Sequence, residues 1–266
     1  MTVAFSTVEF SYLRAAGDIL GRIEQTQTEP LRQAAGIMAD AILADGLVHM
    51  IGASHSALPV AEAYPKCGNI VGFHPVVEQA LFNFTNVIDS NSIWQFTFLE
   101  RLEGYGDAIL ESHVLDPRDA MLIFSQSGIN GVVIDVALDA KHRGLPVIAV
   151  MSVAQASSQP PRHSSGKRLH EVADVVIDNC VPFGDVTVHV PGMDEPMGPA
   201  STRAAIAIVN TLMVEVTRRM VAAGRQPLVN PTLNAPGGVA WTDDRMARAL
   251  DEYRRRTRRL PRRAGE

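Results

Sequence analysis

The stretch that most constrains the fold is Met121 to Gly131, which reads Met-Leu-Ile-Phe-Ser-Gln-Ser-Gly-Ile-Asn-Gly. Its unbroken apolar run is typical of a strand buried on both faces, as in a parallel sheet. Ser127 is a favourable N-cap for a following helix, and Gly128 permits a tight turn or the close approach of a ligand. Hydroxyl groups beside a helix N-terminus favour anion binding, because free backbone N–H groups and the helix dipole face the anion. We therefore predict a phosphate site here; the alternative is a serine-rich turn without a ligand.

The same order of strand, serine-containing loop and helix occurs earlier in the chain. Leu47–Ile51 predicts a strand, Gly-Ala-Ser-His-Ser follows at residues 52–56, and a helix is expected from about Ala57 to Lys66. Three further short strands are predicted, at Ile70–Phe73, Val147–Met151 and Val175–Ile177. Strands that alternate with helices imply parallel pairing in a doubly wound α/β sheet. In such sheets ligands bind outside the carboxyl ends of the strands, so one pocket could use both serine loops.

Apolar residues at helical spacing predict helices in the segments around this sheet. Two packing helices are expected over residues 7–28 and from Pro30 to about Gly46, another over Leu99–His113, and a long apolar one from Pro199 to about Ala223. The resulting division is N-terminal helices (1–46), an α/β domain (47–240) and a C-terminal helix with a basic tail (241–266). Seven Arg lie between Arg254 and Arg263. We expect this tail to be solvated or disordered; the alternative is binding of an anionic partner.

Composition excludes several classes of function. The 266 residues carry a formal net charge of -5, which gives no electrostatic footprint for nucleic acid. Cys67 and Cys180 have no metal-type spacing and suggest a reducing compartment. Neither a signal peptide nor a membrane span is recognisable, so a cytoplasmic protein without nucleic-acid or membrane partners is expected.

One segment has no clear pattern. Residues 76–98 contain an aromatic cluster of Phe82, Phe84, Trp94, Phe96 and Phe98. The cluster could form a lid, an oligomer contact or ordinary core packing.

The two strand–serine–helix units resemble the SIS (sugar isomerase) domain. Ser125–Asn130 is similar to the family's phosphosugar loop, and residues 52–56 are similar to its first-strand loop. Residues 99–105, 162–169 and 173–179 resemble a bacterial subgroup in which one SIS domain follows N-terminal helices. Ala57 stands where the subgroup usually has a second His. The resemblance implies a three-layer α/β sandwich with a mostly parallel sheet, which assembles as a homodimer or homotetramer.

The resemblance also implies binding of a phosphorylated sugar, and we expect aldose–ketose isomerisation through an enediol with a Glu base. Glu62 is the first candidate base, since related isomerases carry a Glu on this helix, about one turn further along. Glu103 is the second, by analogy with SIS-type sugar etherases, while Glu100 is read as a solvent-facing neighbour. His163 is a candidate acid for ring opening, because some SIS isomerases use a His from the neighbouring subunit.

The remaining predicted site residues bind the ligand. They are Ser54, His55, Ser56, Ser125, Ser127, Gly128, Asn130 and Lys167. No cofactor or metal is expected: His74 and Glu78 lie at i, i+4 spacing, but Pro75 follows His74 directly and no third ligand is evident. Two other functions stay open, a lyase or etherase acting on a phosphorylated amino sugar and a non-catalytic phosphosugar sensor.

Overall fold

The computed structural model describes residues 11–81, 92–232 and 238–258. Its strands alternate with helices after two N-terminal helices. The helices are α1 (Ser11–Thr26), α2 (Thr28–Leu43), α3 (Leu58–Ala63), α4 (Ser92–Leu99), α5 (Tyr105–Glu111), α6 (Gly131–His142), α7 (Val153–Ser157), α8 (Ser201–Ala222) and α9 (Gly238–Thr257). The strands are β1 (Val48–Gly52), β2 (Phe73–Pro75), β3 (Ala120–Ser125), β4 (Val147–Met151) and β5 (Val175–Asp178).

The five strands form one sheet in the order β2-β1-β3-β4-β5, and every pairing is parallel. β1 and β3 pair along their length, from Val48 opposite Ala120 to Gly52 opposite Phe124. The chain passes from β1 outward to β2 and then crosses to the other side of β1, so the strand order reverses between β1 and β3. The predicted doubly wound α/β sandwich is confirmed.

The central strands are buried because helices cover both faces of the sheet. Leu122 and Phe124 point toward α1, α2, α3 and α8, in one hydrophobic core. Met121 and Ile123 point toward α5 and α6, in a second core. This arrangement explains the continuous apolar run of β3, since neither face meets water.

Two elements differ from their sequence predictions. The second strand is Phe73–Pro75, not Ile70–Phe73, because Ile70 instead forms an isolated bridge with Val229. The single helix predicted over Leu99–His113 is wrong: α4 ends at Leu99, a turn follows, and α5 begins at Tyr105. Gly104 has a φ of 81°. That left-handed conformation interrupts the helix, and glycine adopts it without a steric penalty.

The aromatic segment is partly described. Phe82 and Phe84 lie outside the described residues. Trp94 and Phe98 are 78% and 66% exposed, whereas Phe96 is half-buried. Among the described residues, no helix is long and apolar enough to cross a membrane.

The C-terminal helix α9 packs on the domain through its last turns. The side chain of Arg256 is 4% exposed and donates to the backbone oxygens of Ile42 and Gly46, at 3.0 and 2.8 Å. It thereby adds a charged donor to the Ile42 carbonyl, which also accepts from the Asp45 N–H at 3.1 Å, and it bonds the Gly46 carbonyl beyond the C-terminal end of α2. The expectation of a solvated basic segment is therefore wrong for Arg256, while residues 259–266 lie outside the described part of the chain.

Replacing Arg256 should test this capping role. Arg256→Ala leaves two carbonyl groups without their charged donor, and we expect the free energy of unfolding to fall by about 2–4 kcal/mol in urea titrations. Arg254→Ala is the matched control, because Arg254 is exposed and its side chain, among the described residues, pairs only with Asp251, at 3.2 Å. The control should cost under about 1 kcal/mol. Equal losses in the two variants would contradict the cap.

Candidate active site

The two serine loops lie together at the carboxyl ends of β1 and β3, where the strand order reverses. This is the position at which doubly wound sheets bind their ligands. The loops border a cavity of about 730 Å³. Six of the predicted binding residues line it, namely Ser54, His55, Ser56, Ser125, Ser127 and Asn130.

The first loop turns sharply out of β1. Ser54–Ala57 forms one 3₁₀ turn, and Ser54 has a φ of 56°. A Cβ atom on Gly52 would lie 2.0 Å from the backbone oxygen of Ser56. Only glycine therefore permits the chain to reverse this tightly, and the reversal places Ser54 and Ser56 over the end of the sheet.

The second loop is fixed by hydrogen bonds on both sides. The Gly128 N–H donates to the Ser125 hydroxyl at 3.0 Å, and the Gly128 carbonyl accepts from the Leu169 N–H at 2.8 Å. Gly128 has a φ of 63°. Helix α6 begins after Asn130, so the prediction that Ser127 is the N-cap is wrong and Asn130 holds that position.

Several N–H groups of the second loop are available to a ligand. Within the described part of the chain, the N–H groups of Ser127, Ile129 and Asn130 donate no hydrogen bond. They precede the N-terminus of α6, a helix of 12 residues whose dipole favours negative charge at this end. Together with the Ser127 hydroxyl they form a cradle suited to an anion.

Other walls of the cavity come from distant parts of the sequence. Tyr12 of α1, Phe96 and Glu100 at the end of α4, and Asp185 contribute to it. The start of α8 contributes Ser201, Thr202 and Arg203. These residues were not predicted from sequence.

Tyr12 and Arg203 contact each other at this wall. The Arg203 guanidinium lies 4.5 Å from the centroid of the Tyr12 ring, and the Tyr12 hydroxyl donates to the Pro199 carbonyl at 2.6 Å. A cation in the first turn of a helix opposes the helix dipole. That unusual placement was the one sequence signal pointing to Arg203.

Asp185 is held in place by donors at the start of α8. It accepts from the Ala200 and Ser201 N–H groups, at 3.0 and 2.8 Å, and from the Ser201 hydroxyl at 2.6 Å. With three donors its carboxylate caps the helix, so it is a structural group of the cavity wall rather than a free base.

Glu100 is a second carboxylate that lines the cavity, and it is half-buried. Burial raises its pKa, although Arg101, Arg162 and a hydrogen bond from Asn130 oppose the rise. A carboxyl group with a raised pKa beside a ligand cavity is suited to proton transfer. The interpretation of Glu100 as a solvent-facing neighbour is therefore wrong.

The two predicted bases do not line the cavity. Glu62 lies on α3, and its carboxylate binds the Lys66 ammonium at 2.7 Å. Glu103 accepts from the Ser164 N–H at 2.9 Å and from the Ser164 hydroxyl. These two bonds lower the pKa of Glu103.

The predicted acid and the predicted lysine also lie outside the cavity lining. Both ring nitrogens of His163 are engaged, Nδ1 with the Ser165 hydroxyl at 2.7 Å and Nε2 with Asp135 at 2.9 Å. Lys167 is exposed. Gly128 belongs to the second loop but contributes its backbone fold rather than a lining surface.

The pair considered as metal ligands has other contacts. His74 Nδ1 lies 2.7 Å from the Tyr253 hydroxyl, and Glu78 accepts from the Ala80 N–H at 2.9 Å. Over residues 11–81, 92–232 and 238–258, no group of three or more His, Cys, Asp or Glu side chains is placed to hold a metal ion.

Comparison with known proteins assigns the family. A family model of the SIS domain matches residues 11–152, from the first helix to the end of β4. This chain belongs to the SIS domain family. A UPF0309 protein of Shouchella clausii is 34% identical over 237 residues, which cover 89% of this chain and 94% of that protein. A UPF0309 protein of Halalkalibacterium halodurans is 31% identical over 246 residues, with 92% and 94% covered.

Solved structures agree with the SIS fold. The phosphoheptose isomerase of Neisseria gonorrhoeae aligns with a TM-score of 0.51 at 15% identity, covering 77% of this chain and 94% of that enzyme. The phosphoheptose isomerase of Francisella tularensis also gives 0.51, at 14% identity, with 78% and 95% covered. At such low identities this likeness shows the fold alone.

Opposite pKa shifts at Glu100 and Glu103 predict opposite effects on stability. Glu100 has a raised pKa in the folded state, so its ionisation lowers stability as pH rises past the unfolded value. Glu100→Gln should therefore raise the free energy of unfolding at pH 7, and the gain should vanish below about pH 4, where the carboxyl is protonated.

Glu103 provides the matched control of opposite sign. Its lowered pKa contributes stability above the unfolded value, and this contribution is lost as pH falls. Glu103→Gln should therefore lower the free energy of unfolding at pH 7. Urea titrations at several pH values measure both variants, and a loss of stability at pH 7 in Glu100→Gln would contradict the assignment.

Proposed function

We propose that this protein binds a phosphorylated sugar and isomerises it between aldose and ketose forms. The observation that carries the proposal is one cavity that combines an anion cradle with a carboxyl group of raised pKa. The cradle is the Ser125–Asn130 loop at the N-terminus of α6, and the carboxyl group is Glu100. Membership of the SIS domain family and the fold shared with phosphoheptose isomerases support the proposal.

In this proposal the phosphate positions the sugar. The N–H groups of Ser127, Ile129 and Asn130 and the Ser127 hydroxyl bind the phosphate oxygens. The first loop, through Ser54 and Ser56, contacts the same ligand from the end of β1. Holding the sugar chain in one pose lowers the barrier to proton transfer, because the entropy of alignment is lost on binding rather than in the reaction.

Glu100 then moves the proton. Its carboxylate removes the proton from the hydroxyl-bearing carbon beside the carbonyl group, which gives an enediolate. The hydroxyl proton of that carbon passes to the former carbonyl oxygen, and Glu100 returns its own proton to the former carbonyl carbon. The raised pKa brings the carboxyl nearer the working pH, where a general base and its conjugate acid are both accessible. Phe96, Phe124 and Ile206 supply apolar wall around this step and limit the access of water.

Opening of the sugar ring needs a second proton-transfer group. His55 lines the cavity beside Ser54, with Nδ1 3.4 Å from the Ser54 hydroxyl. We assign ring opening to His55 in preference to His163, because His55 lines the cavity and His163 does not. Glu62 and Glu103 remain alternative bases, and the Glu62→Gln variant below separates Glu62 from Glu100.

The phosphate cradle predicts a measurable loss on removing one hydroxyl. Ser127→Ala should weaken binding of a sugar phosphate by about 0.5–1.5 kcal/mol for a neutral hydrogen bond, or about 1.5–3 kcal/mol for a hydrogen bond to the charged phosphate. Calorimetry with a panel of sugar phosphates measures the change. Ser158→Ala is the control, because its hydroxyl donates to the Gln155 carbonyl outside the cavity. Unchanged affinity in Ser127→Ala would remove the cradle from the proposal.

The base assignment predicts which carboxylate supports exchange. Incubation with the same panel in deuterated water, followed by NMR, should show deuterium on carbon, and Glu100→Gln should slow turnover by about 10²–10⁴-fold. Glu62→Gln is the matched control and should retain turnover, since Glu62 pairs with Lys66 outside the cavity. Full turnover in Glu100→Gln would refute its role. Binding without exchange for every sugar would instead favour a phosphosugar sensor.

We also infer that the protein is a homodimer or homotetramer. α4 exposes Ile93, Trp94 and Phe98, at 55%, 78% and 66%. Adjacent large apolar side chains on a surface commonly mark an interface. Light scattering at micromolar concentration measures the mass, and a monomer would contradict this inference.

A further inference from the structure

Arg203 is a cation on the wall of the cavity. It lies in the first turn of α8 and borders the cavity together with Tyr12 of α1. Its guanidinium lies over the Tyr12 ring, 4.5 Å from the ring centroid. Among residues 11–81, 92–232 and 238–258, the guanidinium has neither a hydrogen-bond acceptor nor an ion-pair partner. Its N–H donors are therefore available to a ligand.

The acidic groups on the cavity wall do not neutralise Arg203. Asp185 lines the cavity, but its carboxylate accepts from the Ala200 and Ser201 N–H groups, at 3.0 and 2.8 Å. Glu100 is half-buried, and burial disfavours its ionised form. In the described part of the chain, neither carboxylate forms an ion pair with Arg203. Arg203 thus offers an unneutralised positive charge to a ligand in the cavity.

Tyr12 fixes the place of this charge. Its hydroxyl donates to the carbonyl of Pro199 at 2.6 Å, two residues before α8 begins. This bond holds the ring beside the start of α8, and the ring attracts the Arg203 guanidinium through its charge. The planar guanidinium matches the geometry of carboxylate and phosphate groups, with which it pairs through two parallel hydrogen bonds.

Helix stability does not account for a cation at this position. Arg203 is the third residue of α8, and no acidic residue lies in that turn. A positive charge in the first turn opposes the helix dipole, so the placement costs stability. The side chain is exposed and fills no space in the core. Binding of an anion from the cavity accounts for what the fold itself does not require.

Arg203 and the phosphate cradle border different parts of the cavity. Thr202 and Ala205 face the end of β3, where they border a narrow cleft with Ser125. Because a helix turns by about 100° per residue, Arg203 and Ile206 form the next face of α8, outside that cleft. A cavity of about 730 Å³ lies within the range that holds drug-sized ligands. One ligand can therefore reach both the cradle and Arg203.

We propose that Arg203 binds a second anionic group of the substrate, a carboxylate or a further phosphate, while the Ser125–Asn130 loop binds the first phosphate. The substrates are then phosphorylated sugars with two anionic groups rather than sugars with a single phosphate. This assignment rests on the function proposed above and narrows its substrate class. Arg203 determines specificity and takes no part in proton transfer.

Two matched pairs of compounds test the proposal by calorimetry with the full-length protein. 6-Phosphogluconate carries a carboxylate where sorbitol 6-phosphate has a hydroxymethyl group, and fructose 1,6-bisphosphate has one phosphate more than fructose 6-phosphate. In at least one pair, the member with two anionic groups should bind about tenfold to 100-fold more tightly, as hydrogen bonds to charged groups do. The pair that shows the preference identifies the second group as carboxylate or phosphate.

Variants assign the preference to Arg203. Arg203→Gln should abolish it and change the affinity for the single-phosphate members by less than about twofold, because the cradle is intact and salt screens distant charges. Arg203→Lys should recover part of the preference, since a cation remains. Arg218→Gln is the matched control, because it removes a charge from the same helix outside the cavity lining, where Arg218 pairs with Glu215 at 3.5 Å. This control should leave every Kd unchanged.

The outcomes separate Arg203 from the cradle. Equal affinity within both pairs, while fructose 6-phosphate or sorbitol 6-phosphate still binds, would overturn the role of Arg203 and leave the proposed function standing. A preference that survives Arg203→Gln would also overturn it. Equal weakening of both members of a pair would mean that Arg203 binds the phosphate they share, which refutes a second anion site.

Two further results guard the interpretation. Binding of none of the four compounds would refute the proposed phosphosugar function, and the role of Arg203 with it. No recovery in Arg203→Lys would contradict recognition by charge. Arg203→Gln removes a charge that opposes the dipole of α8, so this variant should be at least as stable as the wild type, and thermal unfolding checks that it is folded.

Discussion

The parallel pairing of β1 with β3 is the constraint on which the rest of the site depends. The two strands stay in register from Val48 and Ala120 to Gly52 and Phe124, so they end at the same level. Each strand is buried on both faces and must continue into a covering helix, which places two helix starts side by side. A Cβ on Gly52 would lie 2.0 Å from the Ser56 oxygen, so the chain turns tightly after β1. The loop after β1 therefore stays close to the loop after β3. Backbone N–H groups and hydroxyls therefore meet at one edge.

The parts of the fold that local physics determines could be predicted from the sequence. An apolar run followed by Ser-Gln-Ser-Gly indicates a buried strand and a tight turn, so β3 was predicted nearly to the residue. The start of the following helix was not, since its N-cap is Asn130 rather than Ser127. The opposite wall could not be predicted. Tyr12 and Arg203 are separated by most of the chain and meet only because α1 and α8 pack on the same face of the sheet. The spacing of apolar residues in a single sequence does not indicate a contact between residues so far apart in the chain.

Glu100 and Glu103 show where helical spacing misleads. Treated as one helix from Leu99 to His113, the segment turns Glu100 toward solvent. The left-handed Gly104 breaks that helix and leaves Glu100 at the end of α4, against the cavity. Burial then raises the pKa of Glu100, while two hydrogen bonds from Ser164 lower that of Glu103. Three residues apart in sequence, the two carboxyl groups differ because of their surroundings, which only the tertiary structure fixes.

The same residue types serve chemistry and anchoring, so residue type alone cannot separate the two. His163, Ser165 and Asp135 form a hydrogen-bonded series of imidazole, hydroxyl and carboxylate, yet none of the three lines the cavity. These groups use their hydrogen-bonding capacity on one another and hold a loop in place. A group whose partners are already in the protein has few donors or acceptors left for a ligand. Glu100 differs because it lines the cavity itself, and burial raises the pKa of its carboxyl group. Access to the cavity, combined with burial that disfavours the ionised form, is what distinguishes the candidate base Glu100 from the carboxylates that anchor loops.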